Sequence, residues 1–304
     1  GTFVSQLTTG VLADPGVQQL VGQGVAGAVS GFLGGPLGQA VGARAGAAAA
    51  ALVSNPAVGG AVATLVDSVF GGLLGATGVE TALADAAGGL VSAVLGGEPV
   101  DAALKAALAA LGANPDVDAA VGPVVSTAVA RFLADSGVWS AVDAEISSLV
   151  TGLIADPTVQ QALNNEVAAE VSALLGRGDL GQVVGAQVGA AVVALVTNPI
   201  ISGALVDVAD TVFTDFFSAD GVVDAVAGAA GDVARAVLAG ESVNAAVAAA
   251  GAALRANPDV DAGIQASVGD AVAKFLGDAA VWSTIDTGIT SLVATVIADP
   301  LVQQ

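Results

Sequence analysis

Residues 114–119 read NPDVDA, and residues 257–262 read NPDVDA again. A second motif returns at the same spacing, as DPGVQQ at 14–19, DPTVQQ at 156–161 and DPLVQQ at 299–304. The offset is 142 residues between the first two occurrences of this second motif and 143 from about residue 37 onward, so that one residue is inserted near Gly178. Several unusual motifs that agree at one offset are typical of a tandem repeat.

The repeat predicts how the chain is divided. We expect the end of a preceding copy at 1–13, a first copy at 14–155, a second copy at 156–298 and the start of a following copy at 299–304. Because the segment begins and ends inside repeats, we expect a parent chain with more copies.

Signals for helix starts appear about every 20 residues within each copy. Asp or Asn before Pro, as at Asp14-Pro15 and Asn114-Pro115, caps the free amides of a first helical turn. Between these signals the apolar residues follow helical spacing, and no strand-type alternation competes. The sequence therefore predicts an all-α protein with about seven helices per copy, packed as a multilayer helical bundle or an α-solenoid. The apolar spacing is clearest at Val58, Val62, Leu65, Val66, Val69 and Phe70.

The composition limits the partners of the protein. Acidic residues number 28 against 7 basic ones, which gives a net charge of −21 and argues against nucleic acid as a partner. Hydrophobic residues make up 55% of the chain and aromatic residues only 3%, so that the core must consist mainly of small side chains. We interpret the scattered acids as a solvated surface that keeps an apolar protein soluble.

The missing residue types exclude much catalytic chemistry. The chain has no His and no Cys, so it lacks thiolate metal sites, disulfides and every nucleophile–histidine pair. We therefore predict no enzymatic activity, no cofactor and no metal site. The chain also has no Met, and the lack of oxidisable side chains suits an extracellular or cell-envelope protein.

The helices are long enough to raise the question of a membrane. Most of them carry acids near their middle, such as Asp67, Asp85 and the pair Asp143 and Glu145. Acids without partners are costly at bilayer depth, and no aromatic belts flank the segments. The sequence therefore argues against membrane-spanning helices.

Six aromatic residues are the candidate site residues. They occupy matching positions in the two copies and could form contacts between repeats or line a ligand pocket. The alternative is that they fill the core at helix junctions. These residues are Trp139, Trp282, Phe70, Phe213, Phe132 and Phe275.

Three functions remain open after these exclusions. The first is a structural protein that stacks on copies of itself, end to end, into an elongated rod or filament. The second is a carrier that sequesters lipids or other apolar ligands in a groove or channel between helices. The third is a stalk that presents a terminal adhesive domain. The sequence favours the structural protein, because the copies are so similar and no site for chemistry is apparent.

Overall fold

The helices begin at the capping signals of the sequence in the computed structural model, which describes residues 8–176 and 178–303. The side chain of Asp14 accepts a hydrogen bond from the backbone N–H of Gly16 at 2.7 Å. Asn114 accepts one from the N–H of Asp116 at 2.9 Å. These bonds satisfy amides that have no partner within the helix. The described residues form helices and no strands, so the prediction of an all-α protein is confirmed.

The helices follow one another with short connections. A short helical segment at 8–12 (α1) precedes α2 (Pro15–Leu33), α3 (Gly35–Ser54), α4 (Pro56–Leu74), α5 (Val79–Leu95), α6 (Val100–Gly112), α7 (Pro115–Leu133) and α8 (Ser136–Ala155). The order continues with α9 (Pro157–Leu174), α10 (Asp179–Val196), α11 (Pro199–Ser218), α12 (Val222–Leu238), α13 (Val243–Arg255), α14 (Pro258–Gly277) and α15 (Ala279–Ala298).

Helices α4 to α8 start at positions that match the starts of α11 to α15. Val79 opens α5 and Val222 opens α12, and in both cases the preceding Gly adopts a positive φ, of 83° at Gly78 and 79° at Gly221. A side chain at either glycine would be strained in this left-handed conformation. Helices α6 and α13 are the shortest of the fourteen from α2 to α15, with 13 residues each.

The described residues form two compact units, each with helices from both predicted copies. The copy boundaries predicted from the sequence divide the chain differently and stay a prediction. Residues 1–7 and 304, which belong to the flanking segments of that prediction, lie outside the described residues. The first unit contains residues 8–11, 56–139 and 215–266, and the second contains 12–55, 140–214 and 267–303.

In the first unit α7 packs against four helices, α4, α5, α6 and α12. Helix α12 also packs against α13, and α5 against α6. The core between these helices contains the buried residues Val79, Ala82, Val117 and Val121. Since these side chains are small, the helices approach closely and the core is thin.

In the second unit, glycines let paired helices come into close contact. Helix α9 packs against α10, which buries Gly181, Gly185 and Gly189 at every fourth position. A Cβ on Gly185 would overlap the carbonyl oxygen of Ala168, and one on Gly189 would lie 2.6 Å from that of Asn164. Helices α2 and α3 form a similar pair, and α3 also contacts α9. Small residues at this spacing are a common means of close helix packing.

Four helices of the described part of the chain are long and apolar enough to cross a membrane, by length and composition alone. Each carries at least one acid, and the absence of membrane-spanning segments stays a prediction. The four helices are α4, α8, α10 and α15.

Candidate functional site

The contact between α7 and α12 joins the first predicted copy to the second. The two helices run antiparallel, because Gly122 and Ser126 on α7 both lie against Gly231 on α12, while Arg235 reaches back to Gly122. A Cβ on Gly231 would lie 2.7 Å from the carbonyl oxygen of Gly122. The two helix backbones therefore come into direct contact where both helices have a glycine.

Arg235 crosses this contact. Its guanidinium lies over Gly122, where a Cβ would overlap it. The side chain faces Asp118 on α7 at 4.0 Å and Asp232 on its own helix at 3.7 Å. These three charged side chains are 44–71% exposed, so the ion pairs contribute at most about 1 kcal/mol. Arg235 thus contributes more to the alignment of the two helices than to the free energy of folding.

Apolar residues complete the contact. Ala234 and Leu238 of α12 pack against the core cluster of the first unit, as does Val125 of α7. Val129 and Leu133, farther along the same helix, are partly buried. Helix α12 of the second predicted copy therefore packs on the core that α5 and α7 of the first predicted copy form.

Trp139 lies at the far end of this contact. Its indole N–H donates to the carbonyl oxygen of Leu133. Its ring lies 4.9 Å from that of Phe217, at an interplanar angle of 52°, and Phe217 in turn meets Phe216 edge-on at 4.9 Å. Tilted and edge-on arrangements at this distance are favourable for aromatic pairs. A contact therefore joins the Trp of the first copy to a Phe of the second.

Trp282 repeats the local geometry of Trp139. Its indole N–H donates to the carbonyl oxygen of Leu276 at 2.5 Å, six residues earlier in the chain. The side chain is 50% exposed. Each tryptophan thus makes the same hydrogen bond at its own helix junction. The two differ in the residues that cover the indole ring.

The predicted phenylalanines are spread over both units. Phe70 is exposed, whereas Phe132 and Phe213 are partly buried. Phe275 lines a small cleft of about 120 Å³ together with Lys274 and Asp278. The structure does not gather the six aromatic residues into one pocket, and their role as contact or ligand residues stays a prediction.

A polar contact links the copies in the second unit. Arg44 on α3 donates to Asp156, the N-cap of α9, at 2.8 Å. Gln187 and Asp299 occupy the matching positions, and Gln187 donates to Asp299 at 2.9 Å. The hydrogen bond from Arg44, with that from the Thr158 backbone, holds the pKa of the Asp156 carboxyl below its ordinary value.

A carboxyl pair lies elsewhere in the same unit. The side chains of Asp143 on α8 and Asp210 on α11 share a hydrogen bond. That bond is the main cause that raises the pKa of Asp210 to about 6, and partial burial and the charges of Asp143 and Asp207 add to it. Lys274 opposes the shift. Within the described residues no group of three or more acids is placed to hold a metal ion.

Two open clefts are lined mainly by small side chains. One cleft, of about 590 Å³, has alanines of α10 on one wall and hydroxyl groups of α15 on the other, including Ser283, Thr287 and Ser291. A second, about 330 Å³, lies between α5 and α6 and is lined mainly by alanine. None of the six aromatic residues lines either cleft.

No family model, curated protein or solved structure matches this chain.

Several residues of these contacts were not predicted from the sequence. Gly122, Gly231 and Arg235 were not among the candidate site residues, because a lone glycine or a lone arginine on an apolar helix carries no motif. The close packing of α10 could have been predicted, since its glycines recur at every fourth residue.

Proposed function

We propose that this chain is a structural repeat protein that assembles end to end into an elongated rod or filament, in the cell envelope or outside the cell. In this proposal the sequence repeat of about 142 residues is the unit that stacks, with about seven helices per copy. The matching starts of α4 to α8 and α11 to α15 support such a unit.

One observation carries the proposal. In the first predicted copy α7 packs against α12, a helix of the second predicted copy, and Val125, Val129 and Leu133 on α7 are partly buried. The matching face of α14 in the second copy is exposed, with Val268, Val272 and Leu276 each 44–50% accessible. A continuous row of exposed apolar side chains is typical of an interaction surface. A contact that joins two copies within the chain can therefore join chains to each other.

Assembly has to overcome the charge of the protein. A net charge of −21 makes molecules repel one another at low ionic strength. Salt at physiological concentration screens this repulsion beyond about 8 Å. We therefore expect assembly to be favoured by salt and opposed by dilution.

Negative-stain electron microscopy of the purified 304-residue chain tests the proposal, over a range of protein concentrations in 0.15 M salt. We expect unbranched filaments of constant width above a threshold concentration. Discrete particles at every concentration, in high and in low salt, would contradict self-assembly by this chain.

A carrier for apolar ligands is the second candidate. The cleft between α5 and α6 favours it, because Ala86, Ala93, Ala103 and Ala107 leave about 330 Å³ beside an apolar wall. A lipid acyl chain has the chemistry that fits such a cleft. Organic extraction of the purified protein, followed by mass spectrometry, tests this candidate, and a stoichiometric lipid would support it over the structural protein.

A further inference from the structure

We infer that the cleft between α10 and α15 binds a linear polyamine, a chain of methylene groups that is interrupted and ended by protonated amines. The cleft has a volume of about 590 Å³, and all the residues that line it belong to the second unit. The inference concerns a ligand, goes beyond the proposed assembly and does not require it.

The α15 wall of the cleft offers hydrogen-bond acceptors. Thr284, Thr287 and Thr295 each donate the hydroxyl hydrogen to a backbone carbonyl oxygen four residues earlier, at 2.8–2.9 Å. The direction of these bonds is fixed, because a carbonyl oxygen has no hydrogen to donate. The hydroxyl oxygens thus keep only their lone pairs for a ligand. This wall therefore favours a molecule that donates hydrogen bonds.

Gln187 adds a further acceptor at one end of the cleft. Its amide nitrogen donates to Asp299 at 2.9 Å, and this bond orients the side chain, because a carboxylate only accepts. The amide oxygen, Oε1, is buried and has no hydrogen-bond partner within the described residues. A buried acceptor without a partner is costly, so a ligand that donates to Oε1 removes a cost that the empty cleft carries.

The first copy shows which charge belongs at this end of the cleft. Arg44 stands at the position of Gln187. Its guanidinium donates to Asp156, the counterpart of Asp299, at 2.8 Å. In the second copy the side chain that meets the carboxylate is a neutral amide, so the cation of the first copy is missing there. A protonated amine from a ligand supplies this cation, and hydrogen bonds between charged groups are the stronger kind.

The α15 wall differs from the matching face of α8 at four positions. Three of them gain a hydroxyl group: Thr284, Thr287 and Thr295 replace Ala141, Ala144 and Gly152. At the fourth, Gly288 replaces Glu145. A Cβ on Gly288 would lie 2.7 Å from the side chain of Leu195, so the glycine lets the two walls of the cleft come into contact. The second copy has therefore both the contact that forms the cleft and the acceptors that line it.

The α10 wall offers an apolar surface of matching length. From Gln187 to Asn198 the helix advances by about 16 Å, which accommodates an extended ligand of about ten chain atoms. The carbonyl oxygen of Asn198 accepts from the N–H of Ile200 at 2.9 Å, so the row of free acceptors ends there. Methylene groups of the ligand would contact the apolar side chains of this wall, which are Ala190, Ala191, Ala194 and Leu195.

The matching surface of α3 stays open, although α9 follows in the chain and contacts α3. Ala47 and Ala51, the counterparts of Ala190 and Ala194, are both exposed. A helix placed like α9 therefore leaves this surface accessible. The same holds for a ligand that enters the cleft beside α10.

Isothermal titration calorimetry with spermidine tests the site, in dilute protein at neutral pH and physiological salt. We expect one saturable site per chain. Ala194→Leu fills part of the cleft without a change in charge and should weaken binding by about tenfold or more, since overpacking is destabilising. Ala51→Leu, at the matching position of α3, should change the affinity by less than about twofold. Both alanines are exposed, so thermal unfolding of both variants should stay close to that of the wild type.

Gln187→Arg tests the charge of the site. The new guanidinium should bind Asp299 as Arg44 binds Asp156, and we expect it to weaken spermidine binding by about tenfold or more, because it takes the place of one amine. Gln182→Arg is the matched control, since it adds the same charge at an exposed position of the same helix. It should change the affinity by less than about twofold.

General attraction between a polycation and an acidic protein is the competing explanation, since the net charge is −21. Several spermidine molecules per chain, bound equally well by Ala194→Leu and Gln187→Arg, would establish that explanation and overturn the site. Absence of binding would overturn it too. Methyl NMR of threonine-labelled protein locates the ligand: signals of Thr287 and Thr295 should shift, whereas that of Thr64, an exposed threonine of α4, should not. Shifts at Thr64 alone would also count against the cleft.

Discussion

The carboxyl groups of Asp143 and Asp210 hydrogen-bond to each other, although they lie on different helices and in different predicted copies. A carboxyl pair shares such a bond only while one member holds a proton, and the proton accounts for the pKa of about 6 at Asp210. In an unfolded chain the same group would titrate near its ordinary value of about 4. Between these two values the folded state binds more protons than the unfolded state.

Stability should therefore fall as the pH rises through about 6. Asp210→Asn keeps a hydrogen-bond donor beside Asp143 and removes the titration. We expect the variant to be more stable than the wild type at pH 7.5, by at most about 1 kcal/mol because solvent screens the pair, and to lose this advantage near pH 4.5. Urea unfolding at the two pH values measures the difference. Asp101→Asn, at an exposed acid of α6, is the control, and an equal effect there would indicate general charge reduction.

Gly185 is predicted to be indispensable for the pairing of α9 and α10. Gly185→Ala drives a methyl group into the carbonyl oxygen of Ala168, and we expect a loss of about 1–3 kcal/mol in the free energy of unfolding. Gly203→Ala on α11 is the matched control, because a Cβ there meets nothing within 4 Å. It should be neutral or stabilise the protein by up to about 1 kcal/mol, through helix propensity. Chemical denaturation of both variants checks the pair, and equal effects would argue against close packing at Gly185.

Arg44 and Gln187 occupy matching positions, so each can be replaced by the residue of the other. Arg44→Gln replaces the ion pair with Asp156 by a hydrogen bond from a neutral amide, as Gln187 makes with Asp299. The pKa of Asp156 should therefore rise toward its ordinary value. A carboxyl whose pKa is lowered by folding stabilises the protein above its ordinary pKa, and this contribution is lost as the pH falls through the lowered value. Carbon-13 NMR titration of the carboxyl groups measures the shift. Gln187→Arg, the reverse change, should leave Asp156 unaffected.

Fluorescence distinguishes the two tryptophans. Trp282 is half exposed, whereas Trp139 is partly buried against Phe217. In dilute protein, acrylamide should therefore quench the variant Trp139→Phe, which keeps Trp282, more strongly than the variant Trp282→Phe. Equal quenching of the two variants would count against the burial of Trp139 beside Phe217.

The sequence predicted the helices well because capping is local chemistry. Asp14 and Asn114 bind amides two and three residues away, and nothing distant is needed for that bond. The shortest helix of the first predicted copy begins at Val100, directly after the Pro99 of its start signal, which is its N-cap. The all-α class follows from many such short-range signals.

The contacts between copies were not predictable in the same way. The sequence singled out Trp139, but not Phe217, which lies on a distant helix. Gly122 and Gly231 resemble many other glycines of the chain until the two helices are placed side by side. The pKa of Asp210 likewise depends on Asp143, which no local pattern connects with it. Pairings of this kind depend on the match between whole helix faces.

The distance along the chain between α7 and α12 has a consequence for biosynthesis. After α7 leaves the ribosome, about 100 further residues must be made before α12 is complete, which takes roughly 5–20 s at ordinary translation rates. During that interval α7 can pack on α4 and α5, but the side that faces α12 has no partner. A neighbouring nascent chain offers a helix of the same type, and on a polysome it lies close by. Exchange of α12 between chains during synthesis is therefore a hazard of this fold, and slow translation of the intervening segment increases it.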